Sequence, residues 1–396
     1  MASAVSQVVA VTALNLRNMR ERLSSSIVAL VGITGVVTVL IGVLSISEGF
    51  RAVLDLAGSD DVAIVLRGGA TDEMGSNLSQ EQTRVIADAK DIRRDDGGAI
   101  ASPELYVVVD VPLHSTGTAA NVPLRGASVN ASKLRQGFHI VEGRAFTPGT
   151  FEVIVGRGAV KQFAGLQVGN RLRWGTTEWT VTGIFADRGS VAESEIWTDA
   201  TVLQGAYNRG SSYQSMRVKL NSADAMRTFK DTLTADPRLN VKVFSEKQFY
   251  EEQSRILTTL VRTIGTAIAV LMGLGAVFAA LNTMYSAVSA RTREIATLRA
   301  LGFGSGPVVV SVLVEALLLG LIGGAVGMLI AYFAFNGMRA STMNFATFSQ
   351  ITFAFTVTPV LLMQALIYAL LLGFVGGLLP SLRAARLPIT TGLREL

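Results

Sequence analysis

Few side chains in this 396-residue sequence could do covalent or metal chemistry, and their spacing argues against it. Cysteine is absent, which excludes thiolate metal sites, cysteine nucleophiles and disulfides. Histidine occurs only as His114 and His139, and neither lies in an H-E-x-x-H type of ligand spacing. Glu193 and Glu195 flank Ser194, but in a stretch of small residues with no base nearby, so a surface loop is expected there. No G-x-x-x-x-G-K-[ST] occurs in these residues, so any ATP that drives this chain is expected on another polypeptide. The remaining singular group is Glu315, alone in an otherwise charge-free run over 300–338. Ionised and unpaired within a bilayer, a carboxylate costs at least about 2.5 kcal/mol. With no intramembrane Asp, His or Lys to relay a proton, Glu315 is expected to make a structural hydrogen bond or to tie down the charged helix next to it.

Composition places these residues in a membrane. Hydrophobic residues are 49% and charged ones 16%, against the roughly 25% charged usual in soluble proteins. The isoelectric point near 9.6 does not imply nucleic acid, because lysine occurs only seven times and many arginines border apolar runs. Charge-free runs over 23–47 and 263–290 each exceed the roughly 20 residues that a spanning helix needs. Further spans are expected over 308–335 and 357–382, giving four. The first is too long for the 7–15-residue core of a signal peptide. Ahead of it, Val5, Val8, Val9, Thr12, Leu16 and Met19 form an apolar stripe flanked by Arg17, Arg20 and Arg22, which predicts an interfacial amphipathic helix over 1–22. Arginines 17, 20, 22, 291, 293, 299, 383, 386 and 394 fall on one side, the cytoplasmic one by the positive-inside rule.

The expected fold class is membrane α-helical, four transmembrane helices with an α+β extracytoplasmic domain inserted between helices 1 and 2. That domain covers 48–244. A porter-like subdomain over 58–111 and 213–244 encloses a β-rich insertion over 112–212. Ser79 with Gln82 reads as a capping box, Asn221 or Ser222 as the cap of a second helix, and the alternation around Gly175 as a hairpin over 171–185. Ser245 with Gln248 opens a helix with no breaker before residue 290. This stalk and second span, about 46 residues, is about 70 Å long at 1.5 Å per residue. Some 25 Å of it is expected to project beyond a bilayer about 45 Å thick. A polar loop is expected over 336–356 and a cytoplasmic tail over 383–396.

Small residues recur at four-residue spacing within the spans: Gly265, Ala269 and Gly273; Gly320 with Gly324 and Gly323 with Gly327; Ala365, Ala369, Gly373 and Gly377. Such spacing lets helices approach closely, within one chain or between two copies. Between the second and third runs lies the charged segment 291–304. At about 100° per residue Ile295, Leu298 and Leu301 form an apolar edge with Arg293 opposite, and Gly302 is placed to end the helix.

That segment, the glycine-rich span after it and the tail with Pro380, Ala384, Ala385, Pro388 and Arg394 together resemble the hallmark of the FtsX-like, MacB-type family of ABC transporter permeases. The resemblance implies a permease that is not itself catalytic. Arg293, Glu294, Ile295, Leu298, Arg299, Leu301 and Gly302 would dock into a partner ATP-binding subunit. It implies two such subunits holding ATP and Mg, a second permease copy in a homodimer, a periplasmic adaptor and surrounding lipid, with no cofactor in this chain and no nucleic acid. The setting would be the bacterial inner membrane with both termini cytoplasmic, and the task export or extraction of a substrate by mechanotransmission. Lipoprotein release and activation of a cell-wall hydrolase are the alternatives, the large β-rich insertion favouring transport.

Overall fold

A computed structural model describes residues 7–13, 23–344 and 349–388. Expectations resting on Val5, Leu16, Met19, Arg17, Arg20, Arg22 and Arg394 fall outside them. The chain divides into two compact units, one of Met1–Glu48, Thr259–Met338 and Phe355–Leu396, the other of Gly49–Thr258 and Arg339–Ala354.

Four helices are long and apolar enough to cross a membrane: Leu23–Ala57, Glu246–Ser289, Ser305–Phe335 and Pro359–Arg386, here the first to fourth spans. The second is a single helix of 44 residues, about 66 Å long at 1.5 Å per residue. Only its charge-free part, from residue 263 onward, suits hydrocarbon. Its opening turns carry Glu246, Lys247, Glu251, Glu252 and Arg255, a density of charge that hydrocarbon does not accommodate. Ser245 caps that opening, its hydroxyl accepting from the Gln248 N–H at 3.1 Å, while the Gln248 amide turns to Glu252 instead of closing a box. Arg262 pairs with Glu48 at 2.7 Å where the charge-free parts of the first two spans end.

The small residues sit where spans touch. A Cβ on Gly373 would lie 2.7 Å from the Ala316 carbonyl oxygen, and one on Gly320 2.8 Å from that of Ala369, so the third and fourth spans meet backbone to backbone. Gly324 and Gly377 extend this seam against Ala369 and Ala316. Gly265 faces Val43 of the first span, and Gly273 faces Tyr368 of the fourth. Close approach brings carbonyls within reach of side-chain hydroxyls. Thr34 donates to Gly323 O at 3.1 Å, Thr38 to Gly327 O at 3.2 Å, and Tyr368 to Ala269 O at 2.7 Å. Each gives a hydroxyl a partner that the bilayer could not supply.

The second unit is α+β. Leaving aside two-residue bridges, its strands are β1 (Val62–Arg67), β2 (Ala101–Pro112), β3 (Ala119–Ala127), β4 (Phe138–Gly143), β5 (Glu152–Gly156), β6 (Arg171–Trp174), β7 (Thr177–Asp187), β8 (Ile196–Asp199), β9 (Ser215–Lys219) and β10 (Val241–Ser245). They form one ten-stranded sheet in the order β10-β1-β9-β2-β3-β8-β5-β7-β4, with β6 beside β7. The first four are antiparallel neighbours. The helices Gln80–Ala87 and Ala225–Ala235 connect them, which is a split βαβ arrangement. The two sequence halves are therefore interleaved, with β9 between β1 and β2, and do not lie side by side. Ala63, Val65, Met216, Val218, Ile86, Phe229 and Leu233 share its core. Ser79 and Gln82 close the expected capping box at 3.1 and 2.9 Å. The second helix has Asp224 at its N-cap position, and not the expected Asn221 or Ser222.

Strand β2 is shared. Residues 101–104 pair with β9 and residues 105–112 with β3, so the strand carries the sheet into the β-rich part. There Trp179, Phe163, Val153, Val155, Leu124 and Ile196 form a second core. The β6–β7 hairpin turns at Gly175, whose φ of +60° suits glycine. Residues 336–356 are not merely a polar loop. Arg339–Asn344 (β11) and Ser349–Ala354 (β12) pair antiparallel and belong to this second unit, lying beside β3. Gly49 admits that hairpin, since a Cβ there would collide with the Ala354 carbonyl oxygen.

Substituting Gly373→Leu should force the third and fourth spans apart and cost about 1–3 kcal/mol or more, the range for overpacking. Thermal unfolding in detergent should show the loss while Ile367→Leu, on the 52%-exposed outer side of the same helix, leaves the midpoint unchanged. Equal midpoints for the two variants would contradict the seam.

Candidate functional site: a clamped linker helix and a buried charge cluster

The charged linker forms a helix over Thr292–Ala300. Its end is a Schellman motif, with the Gly302 N–H donating to Arg299 O and the Phe303 N–H to Leu298 O, both at 3.1 Å. Gly302 adopts φ +94°, a conformation that favours glycine. Three contacts hold the helix to its own unit. Arg291, the residue before its first turn, pairs through Nη1 with Glu315 Oε2 at 3.5 Å and through Nε with Glu294 Oε2 at 3.4 Å. Glu315 is 4% exposed and Arg291 7%, so the carboxylate in the third span meets its counter-charge at the root of the linker. Ile295 packs with Met284, Val288, Val308, Val312, Ala316, Leu319 and Ala384. Arg299 donates to the carbonyl of Leu387, the residue that ends the fourth span.

This geometry corrects the expected apolar edge. Ile295 is 7% exposed and faces the spans, whereas Leu301 is 72% exposed. Leu298 and Arg299 are half-buried, and Arg293, Glu294, Thr297, Ala300 and Leu301 form the open face. Arg293 and Leu301 therefore share a side, and Ile295 cannot present itself to a partner. Near the same helix, the helical segment 7–13 buries Val11, whose carbonyl accepts from Ser311 at 3.4 Å, while Val9 of the expected stripe is 62% exposed.

Glu193 and Glu195 do not lie on a surface loop. They are 6% and 5% exposed around a short 3-10 turn, Val191–Ser194. Glu193 Oε1 accepts from the backbone N–H groups of Asp187 and Gly189, both at 2.8 Å, and from Arg157. Alternating hydrophobicity gave no hint of this, because each carboxylate is satisfied by groups distant in sequence. His114 and His139 are exposed and separate.

Glu195 belongs to a larger cluster that no local pattern revealed. Arg125 grips it with two bonds of 2.7 Å, reaches Glu73 at 2.8 and 3.0 Å, and Glu104 at 2.8 Å. Arg217 takes Glu104 at 2.9 Å, Glu246 at 2.5 Å and Glu73 at 3.4 Å. Arg135 adds a contact to Glu104 at 3.4 Å and stacks 4.2 Å over the Trp197 ring, whose N–H donates to Glu195. The members come from the loop after β1, from β2, β3, β9 and the turn before β8, from the residue that follows the short helix Ala131–Leu134, and from the first residue of the second span's helix. Burial alone would raise the Glu73 carboxyl, but the charges of Arg125 and Arg217 outweigh it and hold it well below the usual range. At Glu104 burial is likewise overcome, by Arg135, Arg217 and Arg125.

Residues 26–236 match the family of MacB-like periplasmic core domains, and residues 266–389 match the FtsX-like permease C-terminal family. The chain is 26% identical over 93% of its length to the macrolide export ATP-binding/permease protein MacB of Hahella chejuensis and 25% identical over 95% to that of Chromobacterium violaceum. It spans 58% and 59% of those proteins, so a little over half their length. Among solved structures it is similar to the periplasmic region of MacB from Actinobacillus actinomycetemcomitans, at 13% identity and a TM-score of 0.38, over 50% of this chain and 93% of that one. A second is the extracellular domain of the noncanonic ABC-type transporter YknZ from Gram-positive bacteria, at 13% identity and 0.35, over 46% and 99%.

Replacing Arg125 by Met strands Glu73 and Glu195 without their shared counter-ion and should cost about 3–5 kcal/mol, as when one partner of a buried pair is removed. Urea denaturation at pH 7 followed by tryptophan fluorescence reads this. A loss below about 1 kcal/mol would show that the cluster does not hold the unit together.

Proposed function

Because the chain belongs to the MacB-like permeases of the ABC transporter class, with their periplasmic core domain and FtsX-like C-terminal region, we propose that it is the permease subunit through which a separate ATP-binding subunit drives movement of an extracytoplasmic domain. ATP and Mg are held by that partner, in two copies facing a homodimer of this chain, and this chain performs no hydrolysis itself. The membrane is the bacterial inner one. Arg291, Arg293, Arg299, Arg383 and Arg386 mark the cytoplasmic side, and both termini lie there. The substrate is exported or extracted from the outer side, with a periplasmic adaptor receiving it.

The linker helix carries this reading. A helix that must pass on a push needs one face for the partner and firm contact with the part to be moved. Arg293, Glu294, Thr297 and Leu301 supply the first. Arg291, Ile295 and Arg299 supply the second, fixing the helix to the third span, the shared core and the end of the fourth. Closure of the ATP-binding subunits displaces the linker, and the spans follow because the linker has no slack against them. The unbroken 44-residue helix then hands the displacement to the α+β unit.

The double substitution Arg293→Glu with Leu301→Asp changes only exposed positions. It should leave the unfolding midpoint unaltered and reduce stimulation of the ATP-binding subunit's turnover in proteoliposomes about tenfold or more. Unchanged stimulation would remove the linker from the docking role. Ile295→Asp, by contrast, should lower the midpoint of this chain by itself.

A further inference from the structure

The second span's helix begins inside the charge cluster. Its first residue, Glu246, is 3% exposed, and Arg217, 0% exposed, is its ion-pair partner. From β2 comes Glu104, from the loop after β1 Glu73, from the β-rich part Arg135 and Asp187, and from its own helix Tyr250, 3.5 Å from Arg217. Counted together, Arg125, Arg135 and Arg217 face Glu73, Glu104, Glu195 and Glu246. Carboxylates outnumber guanidiniums by one even before Asp187 is included. Arg125 serves three of the four glutamates and Arg135 serves Glu104, which leaves Glu246 to share Arg217 with two competitors. Glu246 is thus the member of the set whose charge is least compensated.

It also has an outlet. A cavity of about 230 Å³ adjoins it, lined further by Asp55, Ser59, Gln136, Asp187 and Arg188. At about 30 Å³ per water that space admits a short chain of waters and hence a proton. Burial pushes the Glu246 carboxyl up to about 7, the Arg217 charge offsetting only part of the rise.

We propose that the Arg217–Glu246 pair is the joint that seats the long helix in the sheet, and that a proton taken up by Glu246 from the cavity opens this joint. It rests on the transmission reading above and deepens it. Above neutrality Glu246 is ionised and the helix root is held by charge to β9. At acidic pH the carboxyl is neutral, Arg217 keeps Glu104 and Glu73, and the root is free to shift. The sign for stability follows from the same equilibrium. An acid raised in the folded state binds its proton between about pH 4.5 and 7 only when folded, so its contribution to stability falls as pH rises through that window. The closed joint is therefore a loaded state, maintained by the rest of the cluster.

Because the chain has no native cysteine, Lys230→Cys and Glu252→Cys, both at exposed positions of the α+β unit, can carry spin labels in the full chain in nanodiscs. No ATP-binding subunit is present. The expected result is a distance distribution that changes between pH 8.0 and 5.5 with a midpoint near 7, and that is fixed in its acidic form at both pH values in Glu246→Gln. A distribution identical at both pH values, a midpoint below 5, or an unaltered transition in Glu246→Gln would overturn the proposal. The unsubstituted titration alone decides the case if Glu246→Gln fails to fold. Failure here leaves the linker-helix reading standing, and failure of the linker variants leaves this joint standing, since neither measurement uses the other's residues.

Discussion

Two guanidinium groups carry the architecture of the α+β unit. Arg125 and Arg217 are 1% and 0% exposed, and each reaches three glutamates from other parts of the chain. Desolvating such ions is costly, and their mutual attraction repays it only when geometry is good and remaining lone pairs are satisfied. Here the bonds to Arg125 are 2.7–3.0 Å. Ser215 and the Trp197 N–H fill further acceptor positions on Glu73 and Glu195. The energetic return over an apolar core is small. The return in specificity is larger, because no other register of β2, β3 and β9 would place these charges opposite one another.

In the helical unit the opposite chemistry achieves a comparable fixity. Lipid offers no hydrophobic drive for helix association, so contact depends on how closely backbones can come. Glycines and alanines along the third and fourth spans meet this condition, and the hydroxyls of Thr34, Thr38 and Tyr368 reach carbonyls across the seams. Among the described residues, the buried pair of Arg291 with Glu315 joins the linker helix to the span that follows it. An ion pair at that position orients the helix as well as retaining it.

Sequence and structure agree where local chemistry decides. Charge-free runs, the Ser79–Gln82 box, the turn at Gly175 and the stop at Gly302 each follow from a few neighbouring residues. They diverge where the deciding partner is far away. Ile295 and Leu301 lie on positions about 120° apart on a helical wheel, and only the placement of Met284, Val308 and Ala384 determines which of them is covered. Arg125 and Arg217 look like ordinary strand polar residues until their carboxylates are brought from elsewhere. The interleaving of β9 between β1 and β2 is likewise a matter of pairing over long range. The hairpin of β11 and β12 was concealed by a polar composition of Ser, Thr, Asn and Gln that suits a loop as readily as an edge strand.

Strand β2 has a consequence for how the α+β unit can vary. In sequence the β-rich part reads as a cassette dropped into a smaller domain, with seams near residues 112 and 212. In the sheet there is no such seam, because β2 belongs to one half through residues 101–104 and to the other through residues 105–112. A single extended strand acts as a common beam, so twist applied to one half is delivered to the other through covalent bonds and not across a hinge. The cassette is therefore not exchangeable at its sequence borders. A graft from a relative would have to bring half of the beam with it and match both ladders at once.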